Sequence, residues 1–207
     1  MPKLRLSRRT ILRMGPATLA SFAAVTCSRS HRLFTAKQSV QSLSPTPACG
    51  DDPTTPSQTE GPFYTPNSPQ RKSLLESGLP GNPIVVIGQV LSSECRPIAG
   101  ALVDFWHTNA QGDYDNIGYS FRGHQFTDAD GRYRIETIVP GIYPGRTRHF
   151  HVKVQAPNQP VLTTQLYFPE EPANQGDFLF NPALLMSVSN NNDVKEASFN
   201  FVLETGA

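Results

Sequence analysis

No run of eighteen apolar residues occurs in this chain of 207, so nothing after its N-terminus is long enough to span a bilayer as a helix. Nor does charge of one sign dominate. The 18 Lys and Arg against 17 Asp and Glu leave a formal charge of +1, which removes the electrostatic case for a nucleic-acid partner. Long uninterrupted helical stretches are scarce too, because 19 Pro and 15 Gly punctuate the chain into turns, and a helical bundle is disfavoured. Cysteine is limited to three residues, of which Cys49 and Cys95 would survive removal of any export signal. In an oxidising compartment these two can pair, closing a loop of about 45 residues in a link worth roughly 4 kcal/mol in the chain-entropy model.

Acidic residues are absent from positions 1–30, where Lys3, Arg5, Arg8, Arg9 and Arg13 precede a weakly apolar stretch from Gly15 to Thr26. That is the layout of an export signal. The run Ser7-Arg8-Arg9-Thr10-Ile11-Leu12-Arg13 resembles the twin-arginine signal, read by the export machinery of that route, and predicts a periplasmic, cell-envelope or secreted protein. Such substrates cross already folded, a route suited to a protein that loads a metal first. Lipidation at Cys27 is the lesser reading, since Thr26 is a poor match for the small residue expected before a lipoprotein cysteine. Residues 31–58, rich in Ser, Thr, Pro and Gln, have too few large apolar groups to fold alone and read as a tether.

Residues 59–207 change character, with short apolar runs separated by Gly, Pro, Asn and Asp. Strands are predicted over Ile84–Val90, Ala101–Trp106, Tyr133–Ile138, His149–Val154, Leu162–Phe168 and Ser198–Leu203. In the last, Phe199, Phe201 and Leu203 share one face, the pattern of a half-buried strand in an antiparallel sheet. Short helical pieces are expected around Gln70 to Ser77 and Pro182 to Ser187. The fold class that follows is all-β: a single antiparallel β-sandwich with short helical pieces and long loops.

The chemistry centres on His149-Phe150-His151, because residues i and i+2 of a strand project from one face and two imidazoles side by side can grip one metal ion. Alone, such a pair is more often two surface or hydrogen-bonded histidines than a metal site. Its surroundings are more specific. Upstream, Pro140-Gly141-Ile142-Tyr143-Pro144-Gly145-Arg146 brings a Tyr close to the pair, and Trp106-His107-Thr108-Asn109-Ala110-Gln111-Gly112-Asp113-Tyr114 leads from a strand to a second.

With Thr59-Glu60-Gly61-Pro62-Phe63-Tyr64, Phe126-Thr127-Asp128-Ala129-Asp130-Gly131 and Thr164-Gln165-Leu166-Tyr167-Phe168, these segments resemble the intradiol ring-cleavage dioxygenases, in particular short exported members without a helical N-terminal domain. The resemblance implies one mononuclear Fe(III) per chain, bound by Tyr114, Tyr143, His149 and His151. Tyr143 and His151 would be axial, with Tyr114, His149 and a hydroxide completing the set. It also implies a catechol-type substrate, O2 as co-substrate, and Tyr143, Arg146 and Gln165 as residues acting on the substrate. Fe(III) is a hard ion that prefers anionic oxygen and depresses the pKa of a bound phenol, so two tyrosinates and a hydroxide would balance its charge.

Other residues carry plainer expectations. Tyr64, Tyr119, Tyr133 and Tyr167 read as packing residues, although Tyr64 belongs to a segment that resembles the family. Trp106 reads as core. His107 should face opposite to Trp106, in the core or behind the ligands, His124 has no motif support, and Arg148 should point away from the metal. Two rivals stand beside the dioxygenase. One is a zinc hydrolase or hydratase using His107, His149 and His151, which would leave Tyr114 and Tyr143 without a purpose, and the other is a non-catalytic β-sandwich binding module.

Overall fold

A computed structural model describes residues 54–191 and 194–204. Their regular structure is almost entirely strand: β1 (Pro83–Ser92), β2 (Leu102–Trp106), β3 (Arg122–Phe126), β4 (Arg132–Ile138), β5 (His149–Gln155), β6 (Leu162–Tyr167), β7 (Ser187–Asn191), β8 (Val194–Ser198) and β9 (Phe201–Leu203). One sheet runs β4-β1-β8-β7, with β9 also on β1, and the other runs β3-β2-β5-β6. The architecture is the all-β sandwich that the sequence predicts.

Period-two alternation builds the core. Ile84, Val86 and Val90 from one sheet meet Val103, Phe105, Phe150, Val152, Val154 and Leu166 from the other in a single buried cluster. The sheets are not purely antiparallel, because β8 and β9 both lie parallel to β1. The strand predicted over Ser198–Leu203 is accordingly interrupted. Phe199 N–H donates to Ile87 O at 3.0 Å, the Asn200 side chain accepts from Gln89 N at 2.9 Å, and Phe201, Val202 and Leu203 are all buried rather than alternating.

The helix expected near Gln70 to Ser77 is instead an extended segment that bridges to both sheets, Gln70 to His124 and Ser73 to Glu136. Arg71 N donates to His124 O at 2.9 Å and Leu74 N to Glu136 O at 2.7 Å, so the segment spends its backbone groups covering β3 and β4, one edge of each sheet. The piece at Pro182–Leu184 is a short 3-10 turn, and another spans Pro172–Gln175.

Residues 54–58, expected in the tether, run along the sandwich. Thr55 exchanges bonds with Val202 at 2.9 and 2.8 Å, and Gln58 N donates to Thr163 O at 2.8 Å. Cys95 is exposed and has no disulfide partner among the described residues, while Cys49, the export signal, Cys27 and the tether up to residue 53 lie outside them.

Candidate metal centre

Because Phe150, Val152 and Val154 fill the core face of β5, His149 and His151 must project from its outer face, yet they are only 5% and 3% exposed. Loops and the 59–70 segment roof that face. The register places Trp106 of β2 and Gln165 of β6 opposite His151, with Tyr167 opposite His149. His149 Nδ1 stands 2.6 Å from Thr147 O, so this nitrogen carries the proton and donates, leaving the Nε2 lone pair free. That Nε2 is 3.1 Å from His151 Nε2 and 3.5 Å from Tyr114 Oη.

Tyr114 arrives on the loop after β2, which Asn109 organises by accepting from Gln111 N and Asp113 N at 2.9 and 3.0 Å. Two glycines let this loop press against the one carrying Tyr143. A Cβ on Gly112 would stand 2.3 Å from Ile142 O, and one on Gly141 would stand 2.3 Å from Gly112 N. The phenol rings of Tyr114 and Tyr143 thereby come within 5.8 Å, centre to centre. Phe63 stacks on Tyr114 at 4.5 Å and meets Tyr143 edge-on at 5.4 Å.

Electrostatics prepare the nitrogens and oppose the phenol. Burial holds His149 down at about 4 and His151 well below its ordinary value, with nearby positive charge adding to both shifts, so the imidazoles are neutral at pH 7 as ligands must be. Burial pushes the Tyr114 phenol up, and the Arg146 and Arg122 charges offset this only in part. Tyr114 therefore needs a strong local cation to ionise.

Arg146 turns toward this centre. Its Nη2 donates to Gln165 Oε1 at 2.6 Å and its Nε to Asp177 Oδ2 at 2.9 Å, while fully buried Gln165 donates through Nε2 to Thr59 O at 3.0 Å. Arg148 points elsewhere, binding Glu171 Oε1 at 2.6 Å and the Pro140 carbonyl.

His107 is no ligand. Both its nitrogens are engaged at 2.7 Å, Nδ1 with Thr108 O and Nε2 with Thr137 Oγ1, and its ring packs edge-on against Phe150 on the core face. Among the described residues no three of His, Cys, Asp and Glu come together, so the three-histidine zinc site does not form. Trp106 corrects a second expectation. It is buried, but on the outer face, where it stacks on His151 at 4.9 Å and 7°. Tyr64 lies against Trp106 at 4.9 Å under the Lys153 ammonium, with its hydroxyl 3.4 Å from Asp104, while His124 bonds Ser68. Phe63 and Asp177 are participants that sequence reasoning passed over. Phe63 sits inside a motif already singled out, whereas nothing local distinguishes Asp177.

The donor set fits a metal ion. Two ligands about 2.1 Å from one first-row ion, set at a right angle, stand about 3.0 Å apart, close to the 3.1 Å between the histidine Nε2 atoms. His151 meets the other donors through Nε2, while its buried Nδ1 has no hydrogen-bond partner among the described residues. Paired neutral imidazoles with two phenols suit a hard, highly charged ion.

Comparison with known proteins bears on the family. The dioxygenase family model Dioxygenase_C matches residues 59–205. The chain is 31% identical over 152 residues to catechol 1,2-dioxygenase 2 of Acinetobacter lwoffii, covering 61% of this chain and 55% of that protein. It is 34% identical over 128 residues to the protocatechuate 3,4-dioxygenase beta chain of Burkholderia cepacia, covering 53% and 54%. The chain thus spans about half the length of the curated relatives it matches. Among solved structures, the dioxygenase domain of a dioxygenase carbohydrate-binding protein fusion from Streptomyces sp. SirexAA-E is 56% identical, with a TM-score of 0.72 over 75% of this chain and 100% of that one. The 3-chlorocatechol 1,2-dioxygenase of Rhodococcus opacus is 28% identical, with a TM-score of 0.70 over 74% and 73%.

Proposed function

Since the chain belongs to the intradiol ring-cleavage dioxygenases, we propose that it inserts both atoms of O2 into a catechol-type ring to give a cis,cis-muconate type diacid, using one Fe(III) held by Tyr114, Tyr143, His149 and His151. The observation that carries this reading is the approach of His151 Nε2 and Tyr114 Oη to His149 Nε2, at 3.1 and 3.5 Å, beside a second phenol. Ferric iron, when bound, would supply the Lewis acidity that makes a catechol-type ring reactive toward O2.

The chain's own residues do the rest. His149 is held in one tautomer by Thr147 O, which fixes the direction of its lone pair before any ion arrives. Trp106 locks the plane of His151 from one side, and Gly61 approaches its Cε1, where even a Cβ would stand at 3.4 Å. Tyr143 Oη is the base that takes up a catechol proton as the substrate binds. Phe63, against both phenols, supplies an apolar wall that excludes water. Arg146, anchored at two nitrogens, offers a fixed cation for the negative charge that develops on the substrate, a preorganised interaction worth roughly 3 to 4 kcal/mol, or 10² to 10³ in rate. Export by the twin-arginine route is part of the same proposal and rests on Arg8-Arg9 and the acid-free leader.

The test is the purified protein itself. Expected are close to one iron per chain, a red to burgundy colour from tyrosinate-to-Fe(III) charge transfer, and O2 consumed one for one with catechol as the diacid appears. A colourless, zinc-loaded protein from iron-replete cells, inert toward catechols, would overturn the reading.

A further inference from the structure

We propose that Asp177 is a positioning residue for ring cleavage: by gripping Arg146 it orients that guanidinium beside the candidate metal centre and, through Gln165, fastens the 59–63 segment that roofs it. The inference rests on the reading of Arg146 given above and extends it to a residue that touches neither substrate nor metal.

Two chain segments meet at this carboxylate, residues 146–147 and 177–179, and Arg146 carries the link on to Gln165 and Thr59. The Asp177 side chain is 1% exposed, with Oδ2 accepting from Arg146 Nε at 2.9 Å and Thr147 N at 2.8 Å, and Oδ1 accepting from Leu179 N at 2.9 Å. Its own backbone is tied into the turn after Pro172–Gln175, Asp177 N donating to Ala173 O at 3.2 Å and Phe180 N donating to Asp177 O at 3.0 Å. The grip is therefore rigid at its root. Arg146 Nη2 meets Gln165 Oε1 at 2.6 Å, an oxygen that also accepts from Tyr167 Oη at 3.1 Å, and Gln165 Nε2 donates to Thr59 O at 3.0 Å. Two acceptors at Nε and Nη2 fix the plane of a guanidinium, which one could not do.

A buried ion pair is weak evidence for stability, since removing two charges from water costs about as much as their attraction returns. The geometry points to a different use. Thr147 is the residue whose carbonyl sets the His149 tautomer, and its N–H is held by the same Asp177 oxygen that holds Arg146. One carboxylate oxygen thus registers the cation and the ligand strand to each other. Burial pushes the Asp177 carboxyl up, but the three N–H bonds outweigh it and leave the group lowered and anionic at pH 7.

The experiment is a double-mutant cycle on the iron-loaded protein, with iron content, colour and the melting of the metal-free protein measured beside kcat and KM. Asp177→Asn is expected to slow ring cleavage about 10- to 100-fold with KM for catechol within about threefold and iron retained. In the Arg146→Ala background the same change should cost less than about twofold, because the group it positions is gone. Equal losses in both backgrounds would show that Asp177 acts on the fold and overturn the proposal. If Arg146→Ala turns over normally, the role of Arg146 falls and this inference with it. An iron-free wild-type protein would instead sink the dioxygenase reading. Should Asp177→Asn fail to fold, Arg146→Lys keeps the charge and loses the two-pronged hold. A loss of about tenfold or more is then expected, and turnover within threefold of wild type overturns the claim.

Discussion

The inner face of the β3-β2-β5-β6 sheet and the part of its outer face that carries the candidate centre are both buried, and they are buried for different reasons. The inner face presents Val103, Phe105, Phe150, Val152, Val154 and Leu166, whose packing is self-sufficient. The outer face presents Asp104, Trp106, His149, His151, Gln165 and Tyr167, which are nearly as inaccessible but polar. On that side His151 Nδ1, Trp106 Nε1 and Arg122 Nη1 have no partner among the described residues. The comparison teaches that the inner face holds the fold while the outer one gathers the imidazoles of the candidate metal centre and the groups packed around them.

The largest effect that tests this contrast comes from neighbouring residues on opposite faces. Phe150→Ala should cost about 3 to 5 kcal/mol of stability by opening a cavity. His149→Ala should change the stability of the metal-free protein by less than about 1 kcal/mol, yet abolish colour and weaken iron retention beyond the ~10- to 100-fold seen when a ligand's outer partner is lost. Thermal unfolding of the metal-free variants, with iron analysis of the loaded ones, checks both. Equal destabilisation by the two changes would break the comparison.

The inner face was the legible one. β1, β2, β4, β5 and β6 announce themselves by apolar alternation, because each puts every second residue into one core. β3 does not, since its inward positions are Gly123, which leaves room for Leu74, and Gln125, which bonds the Arg134 backbone through both ends of its amide. The β7–β8 pair, carrying Ser, Asn and charged residues, hides for the same reason. Of the site, His149 and His151 are visible because period two puts them side by side. Asp177 is invisible, because its meaning depends on Arg146, 31 residues away, and only the folded chain brings them together.

A smaller effect reads the inner face by pH, where His107 adds its share to the one that His149 and His151 contribute from the outer face of the metal-free protein. His107, with its ring on the inner side, is held down at about 3, chiefly by burial and further by the Arg122 and His149 charges, against the opposing bond to Thr108 O. Its pKa is lower folded than unfolded, so between about 6.5 and 3 the unfolded chain takes up a proton that the folded one refuses. Stability is then lost as pH falls through that window, by up to about 1.4 kcal/mol per pH unit. His107→Gln, whose amide can still accept from Thr137, should flatten this share of the profile in urea titrations of the metal-free protein. An unchanged slope would mean that His107 is not the inner-face proton sink.

The smallest effect probes the seam where an aromatic ring serves the outer face. Trp106 stacks on His151 at 4.9 Å and 7°, and its Nε1 has no partner among the described residues. Stacking needs only the ring face, and such a pair contributes about 0.5 to 1.5 kcal/mol. Trp106→Phe keeps a ring against His151 and removes a buried N–H, so it should leave iron content and colour as they are and change stability by less than about 1 kcal/mol, the relief at Nε1 offsetting the lost packing. Trp106→Leu keeps an apolar filling but frees the imidazole to rotate. Iron affinity should then fall by roughly the value of the stacking, a few-fold to about tenfold, with the charge-transfer band shifted. If the two variants retain iron equally well, Trp106 is filling space as an inner-face residue does, and the plane of His151 is set by its bonds to the metal alone.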